Sequence, residues 1–311
     1  MNIQEIERIL KRNGPRLAYQ SLDGMNWKQF TSNDIRSNLD NISSYLSKNN
    51  IINKKILSLA SNCLESYILE CSLINLGSSL SFTTRESLLD IQFNLDFDII
   101  IVDYLNDIKE NHILDNITKD KQIISIRNFK SSKESAGNYI SLQNIYKIGL
   151  LSKRSLNKNE EKGEPIPVSQ ISFVQSNKLK SYTLNDLDTF IKKNESHFKA
   201  LNENEFCTSL YLKKDIFSKV LNLFFLKFRN KFTNNVSLDS LMTNINELMP
   251  VNLIIDSENL KKIMNLCYMN KVNFSDLTGS KIKKIITYGL PSNENIELIK
   301  KENIMIINLL D

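Results

Sequence analysis

No glycine occurs between Gly163 and Gly279, and this gap covers the stretch around which the chain is organised. Residues Val168 to Leu187 read VSQISFVQSNKLKSYTLNDL. The spacing predicts a half-buried strand carrying Val168, Ile171, Phe173 and Val174, then a short polar loop bearing lysines, then a helix starting after Thr183. Strand, loop and helix in that order are the layout of a nucleotide-phosphate loop. Such a loop holds phosphate with backbone N–H groups, which converge only where the chain turns through positive φ and approaches the ligand closely; this is glycine's role. The layout is present, and the residues that give it its chemistry are not.

Histidine and cysteine are scarce as well. Only His112 and His197 are available, and Cys63, Cys71, Cys207 and Cys267 show no C-x-x-C spacing, which argues against a zinc site or a thiol-redox motif. The cysteines read as small buried hydrophobes of a reducing compartment. No apolar run reaches transmembrane length, and the N-terminal MNIQEIERILKRNG carries charges throughout instead of a signal peptide's apolar core. A cytoplasmic protein is expected. The net charge of +5 is small for 311 residues and is spread as isolated lysines, without the basic, aromatic-studded face that nucleic-acid binding needs. What remains is a chain with 41% hydrophobic and 24% charged residues, long enough for two compact lobes or one large α/β unit.

Taken in order, Ile3, Ile6, Ile9 and Leu10 share one helical face, and Asn13-Gly14-Pro15 ends that helix. A hairpin from Leu17 to Phe30 follows, with Asp23-Gly24 as its turn. Thr31 and Asp34 form a capping-box signal for a helix carrying Ile35, Leu39, Ile42 and Leu46. Ile51 to Ala60 reads as a strand, and Asn62 with Glu65 as the cap of a helix that buries Leu64, Tyr67, Ile68, Cys71 and Ile74 and ends at Gly77. Strand 79–82, a helix from Thr83 to about Leu95, and strands Phe97 to Val102 and Gln122 to Ile126 continue the alternation. A polar linker is expected over 151–164. Beyond it come a helix with Leu187, Phe190, Ile191, Phe198 and Leu201, a strand Phe206 to Leu212, and an apolar segment Ile216 to Phe228. Lys219, Lys227, Arg229 and Lys231 flank that segment, which reads as a core helix with snorkelling ends in preference to a membrane-surface helix. A helix through Ile245 to Leu248, strand Val251 to Ile255, helix Glu258 to Cys267 and strand Ile282 to Thr287 complete a second series. Alternation at this spacing means an α/β protein with mostly parallel sheets flanked by helices.

Several blocks have a more specific character. Trp27-Lys28-Gln29-Phe30-Thr31 leads into the first long helix; Leu59-Ala60-Ser61-Asn62 is followed by Glu65 and Gly77; Phe82-Thr83 runs to Leu89. INELMPVNLIIDSENLKKI spans Ile245 to Ile263, and Thr287-Tyr288-Gly289-Leu290-Pro291 follows. In this order and with these gaps, the blocks resemble the N-terminal region of the adenylate-forming acyl-CoA synthetase family, the AMP-dependent synthetases and ligases. The resemblance covers nearly all of 1–311. It implies two α/β lobes that are not sequence halves, about 53–202 in one and 1–52 plus 203–311 in the other.

The departures fall where the family's chemistry lies. Where the family writes T-S-G-T-T-G-x-P-K-G, this chain has Val174-Gln175-Ser176-Asn177-Lys178-Leu179-Lys180, shorter and without glycine. Ser176, Lys178 and Lys180 are therefore the candidate cofactor-binding residues, as a vestigial phosphate loop, with an ordinary turn serine and solvated lysines as the simpler reading. The family's P-L-x-H corresponds to Leu212-Lys213-Lys214-Asp215, where Asp215 reads as a helix N-cap before an acid–base group. Cys207 reads as strand packing and His197 as a half-buried structural residue. The family's Y-G-x-T-E motif, which stacks adenine and holds magnesium, would begin about where Asp311 stands. No catalytic residue, metal site or cofactor is expected, with ATP or AMP and magnesium only if the family's activity is retained. The expected function is that of a degenerate, truncated, non-catalytic binding or partner module. Its occupant would be a protein partner, an acyl ligand, or a second copy meeting it through apolar surface at Ile304 to Leu310. The alternative is an acyl-CoA or acyl-carrier ligase whose missing parts come from another chain.

Overall fold

The computed structural model describes residues 3–23, 26–84, 96–105, 108, 118–127, 138–155, 170–175, 178–199, 201–211, 215–289 and 291–309. Helix α1 (Ile3–Asn13) precedes the hairpin β1 (Leu17–Asp23) and β2 (Asn26–Thr31), then α2 (Ser32–Lys48), β3 (Lys55–Ser58), α3 (Leu64–Asn75) and β4 (Ser79–Phe82). Next come β5 (Ile99–Val102), β6 (Gln122–Ser125), β7 (Tyr139–Ser141), α4 (Leu142–Ser155), a second hairpin β8 (Gln170–Gln175) and β9 (Lys178–Thr183), and α5 (Leu184–Lys199). Strand and helix then alternate through β10 (Phe206–Leu210), α6 (Ile216–Lys227), β11 (Lys231–Asn235), α7 (Leu238–Leu248) and β12 (Asn252–Asp256). After these follow α8 (Ser257–Asn270), the short α9 (Phe274–Leu277), β13 (Lys284–Tyr288), α10 (Asn293–Lys301) and β14 (Met305–Leu309).

The described strands form two seven-stranded sheets. Sheet I has the order β14-β13-β12-β10-β11-β1-β2, and sheet II the order β7-β6-β5-β3-β4-β8-β9. Every pairing is parallel except at one edge of each, where a hairpin, β1–β2 or β8–β9, closes the sheet antiparallel. Parallel strands buried on both faces need continuous apolar runs, and β5 supplies one: Ile99, Ile100, Ile101 and Val102 are all buried. Ile56, Ile171, Phe173, Leu210, Leu253 and Ile286 also lie buried in strands; Leu59 is buried just past the end of β3.

The two hairpins start the same local structure twice. In each, a threonine ends the second strand and caps the next helix: Thr31 N and Oγ1 donate to Asp34 Oδ2 at 2.8 and 2.7 Å, and Thr183 N and Oγ1 to Asp186 Oδ2 at 2.7 and 2.9 Å. Reciprocal bonding of this kind satisfies two orphan groups at a helix start. Between the sheets, one hydrophobic core joins strand residues of sheet II, such as Phe82 and Phe173, to those of sheet I, such as Phe232 and Ile254. Its centre is α6, buried from Ile216 to Leu226 on all sides, which makes it a core helix. Phe224 of α6 stacks on Phe198 of α5 with ring centres 4.0 Å apart. Each such fully buried phenylalanine contributes about 2–3 kcal/mol through removal of apolar surface from water.

Some expectations need correction. Leu151 to Ser155 continues α4 instead of opening a linker, because Leu142, Ile145 and Ser152 face inward on its helical repeat. The cap of α3 is Cys63, whose N–H donates to Ser66 Oγ at 3.3 Å, in place of Asn62 with Glu65. The polar loop expected after Val174 is the end of one strand and the start of another. β7, α4, β11, α9, α10 and β14 were not anticipated. The helix expected from Thr83 to Leu95, the remainder of the linker and His112 lie outside the described residues, apart from Thr83 and Thr84.

Candidate functional site

The hairpin β8–β9 occupies the position of the expected phosphate loop. Gln175 pairs directly with Lys178, so only two positions, 176 and 177, separate the strands. Two-residue connections are the tightest hairpin links, and they commit the flanking backbone to the ladder. Lys178 opens β9, and Lys180 is an exposed residue of the same strand, paired with Phe173, its ammonium 5.3 Å from the Tyr182 ring centre. Ser176 lies outside the described residues. Asp186 is held below the usual carboxylate range by the backbone and hydroxyl hydrogen bonds from Thr183.

Ligands of open α/β sheets bind beyond the carboxyl ends of the strands. At that end of sheet I the space is filled with aromatic rings. Tyr288 at the end of β13 stacks on Phe217 of α6 at 4.9 Å and 2° between planes, and both meet Tyr211 and Phe190 edge-on. Tyr211 donates to Asp215 at 2.6 Å, and Asp215 Oδ1 accepts the N–H of Ser218 at 3.0 Å, so Asp215 is the N-cap of α6. Asp256 is buried and spends its oxygens on Asn259, capping α8. Gly289 follows at φ +87°, and a Cβ there would lie 2.9 Å from Ser257 Oγ.

Between the sheets lies a buried polar junction that the sequence reading missed. Lys219 Nζ of α6 meets Glu70 Oε2 of α3 at 2.9 Å, and Ser58 donates to the other Glu70 oxygen at 2.9 Å. The same ammonium sits 3.9 Å from the Phe82 ring centre and donates to Asn62 Oδ1 at 3.4 Å. Asn62 in turn donates to Tyr211 O at 2.7 Å, which links the junction to the cap of α6. The available signal was a lysine on a mostly apolar helix, and a glutamate in the middle of another: charges so placed are almost never buried unless paired. Tyr67 puts its hydroxyl into this region beside Cys71 without a well-formed hydrogen bond, and burial raises its pKa well above normal.

Burial likewise pushes the Cys63 thiol up to about 12 and raises Cys71 and Cys207 further, so none of them is a thiolate nucleophile. His197 is half-buried on α5. Among the described residues no group of three or more His, Cys, Asp or Glu is placed to hold a metal ion. Among them, too, no helix is long and apolar enough to cross a membrane. The expected apolar surface at the end of the chain is reduced: Ile304 and Leu309 are buried, Ile306 and Ile307 half-buried, Met305 exposed, and Leu310 outside the described residues.

No family model and no curated protein matches the sequence. Solved structures do match in fold. Acetoacetyl-CoA synthetase from Streptomyces lividans superposes with a TM-score of 0.73 at 11% identity, over 99% of this chain and 51% of its own length. The N-terminal domain of FACL13 from Mycobacterium tuberculosis gives 0.66 at 11% identity, over 98% of this chain and 75% of that domain. A fused adenylation–PCP di-domain, NpsA-ThdA, from Klebsiella oxytoca gives 0.64 at 12% identity, over 99% and 53%. The fold is that of the N-terminal region of adenylate-forming enzymes.

Proposed function

We propose that this chain is a non-catalytic relative of the adenylate-forming acyl-CoA synthetases, keeping their two-sheet scaffold as a binding or partner module. In this reading its units are 53–202 and 1–52 plus 203–311, and its occupant is an acyl-activating enzyme, an acyl carrier or an acyl chain. The observation that carries the reading is the two-residue connection between Gln175 and Lys178. A phosphate cradle needs several consecutive N–H groups turned toward one point, and a hairpin this tight turns its flanking backbone into the ladder instead. Lysines alone attract phosphate without positioning it, and positioning with electrostatic stabilisation supplies most of the acceleration in this chemistry.

The aromatic packing at the end of β13 supports the same reading, since Phe217, Tyr288, Phe190 and Tyr211 fill space where a ligand would enter. A second reading is an acyl-CoA or acyl-carrier ligase completed by another chain, with ATP and magnesium as cofactors. It draws support from coverage: the chain spans about half of acetoacetyl-CoA synthetase and of the di-domain. Calorimetric titration with ATP and magnesium separates the two. The first reading expects no saturable heat; saturable binding lost in a Lys178→Ala, Lys180→Ala double variant would support the second and put a rebuilt site at those lysines.

A further inference from the structure

At the end of sheet I opposite the aromatic cluster, α7, α8, α9 and α10 terminate and β12, β13 and β14 begin. The strands start level there, with Asn252, Lys284 and Met305 in register across the sheet. Two apolar side chains stand clear of the surface: Tyr268 is 86% and Met269 76% exposed at the last turn of α8. Val272 beyond them, Met249 after α7 and Met305 at the start of β14 are exposed too. Side chains as exposed as Tyr268 and Met269 have little packed against them among the described residues.

Backbone conformation adds an independent observation. Met249 and Lys271 occupy left-handed positions, φ 50° and 52°, at the C-caps of α7 and α8. Glycine or asparagine fits such a position with less strain, a cost that Arg229 and Ser280 also carry.

The charge of this end is positive. Lys271, Lys281, Lys283, Lys300 and Lys301 are exposed at this end, where the carboxylates are Glu247, Asp276 and Glu302; Lys284 is there too, paired with Glu205 at 3.4 Å, which leaves six cations to four carboxylates. Glu302 is occupied with the N–H groups of Phe274 and Ser275 at 3.0 and 2.6 Å, and Asp276 with the N–H of Asn273 at 3.4 Å. Protruding tyrosine and methionine with exposed lysines at the same end of the sheet match an interface with apolar depth beneath an anionic layer. A protein partner would need a recess shaped for each protruding side chain; a bilayer accepts them without one.

We infer that this end of sheet I is a docking surface for anionic lipid bilayers, with Tyr268, Met269, Met249 and Val272 entering the interface while Lys271 and Lys283 meet lipid phosphates. The inference is independent of whether the chain forms adenylates. The test is co-sedimentation of the full chain with phosphatidylcholine vesicles and with phosphatidylcholine–phosphatidylserine vesicles, for the native protein and two double variants, Tyr268→Ser with Met269→Ser and Lys271→Glu with Lys283→Glu. All these positions are exposed, and far-ultraviolet circular dichroism checks that the variants fold. The expected result is binding to the anionic vesicles only, weakened by salt and about tenfold or more by either variant. The inference is overturned by failure to bind anionic vesicles, or by variants that bind as the native chain does. Two other results overturn it: lipid-free dimerisation lost in the Tyr268→Ser, Met269→Ser variant, which assigns the surface to a second copy, and binding of an acidic protein through these residues with no vesicle binding.

Discussion

Lys219 Nζ lies 2.9 Å from Glu70 Oε2 and 3.9 Å from the centre of the Phe82 ring, so a single ammonium joins α6 to α3 and to a strand of sheet II. Both charged side chains are buried, and each depends on the other for its compensation. Removing one partner, as in Lys219→Met or Glu70→Leu, should destabilise by about 3–5 kcal/mol because the remaining charge is left uncompensated. The double variant should recover much of that loss. Urea unfolding of the three variants checks this; a double variant as unstable as the sum of the singles would contradict it.

Gly149 of α4 packs on α2 so closely that a Cβ would lie 2.0 Å from the carbonyl oxygen of Asn41. A Gly→Ala change inside a helix ordinarily gains up to about 1 kcal/mol from propensity. Here the sign should reverse, with Gly149→Ala losing about 1–3 kcal/mol as the helices are forced apart. A raised melting temperature would show that the helices are not in that contact.

Glu205 connects the start of β10 to its neighbours. Burial alone raises its pKa, but the hydrogen bonds from Asn252 and Asn202 and the charge of Lys284 outweigh burial and leave it lowered. A carboxylate lowered on folding contributes stability that is fully present above its unfolded pKa and is lost as pH falls through its folded one. Glu205→Gln should therefore flatten the acid limb of melting temperature against pH, and equal slopes in variant and native protein would count against the assignment.

Much of the fold was legible because its signals are local. Ile99 to Val102 announces a doubly covered strand without help from the rest of the chain, and the bonds of Thr31 to Asp34 span three residues. Non-local features were not legible. Glu70 and Lys219 are separated by 149 positions, and nothing near either one names its partner. β11 was missed because KFTNN carries a single apolar residue, Phe232; its polarity is hidden in a side-chain network, with Asn234 donating to Asn222 and Asn235 to Thr208 and the carbonyl of Ser209. Lys178 and Lys180 read as loop residues because they pair with β8, which lies directly before them, and the two residues in between, Ser-Asn in sequence, are a weak hairpin signal. Their strand conformation was not foreseen.

The proposed lack of acyl-adenylate chemistry is tested most directly by exchange of labelled pyrophosphate into ATP, with magnesium and a panel of short, long and aromatic carboxylic acids. The purified chain is expected to give no acid-dependent exchange above the level of the Lys178→Ala, Lys180→Ala variant. Acid-dependent exchange in the native chain that the double variant lacks would contradict the non-catalytic reading and place a working nucleotide site on the hairpin of β8 and β9.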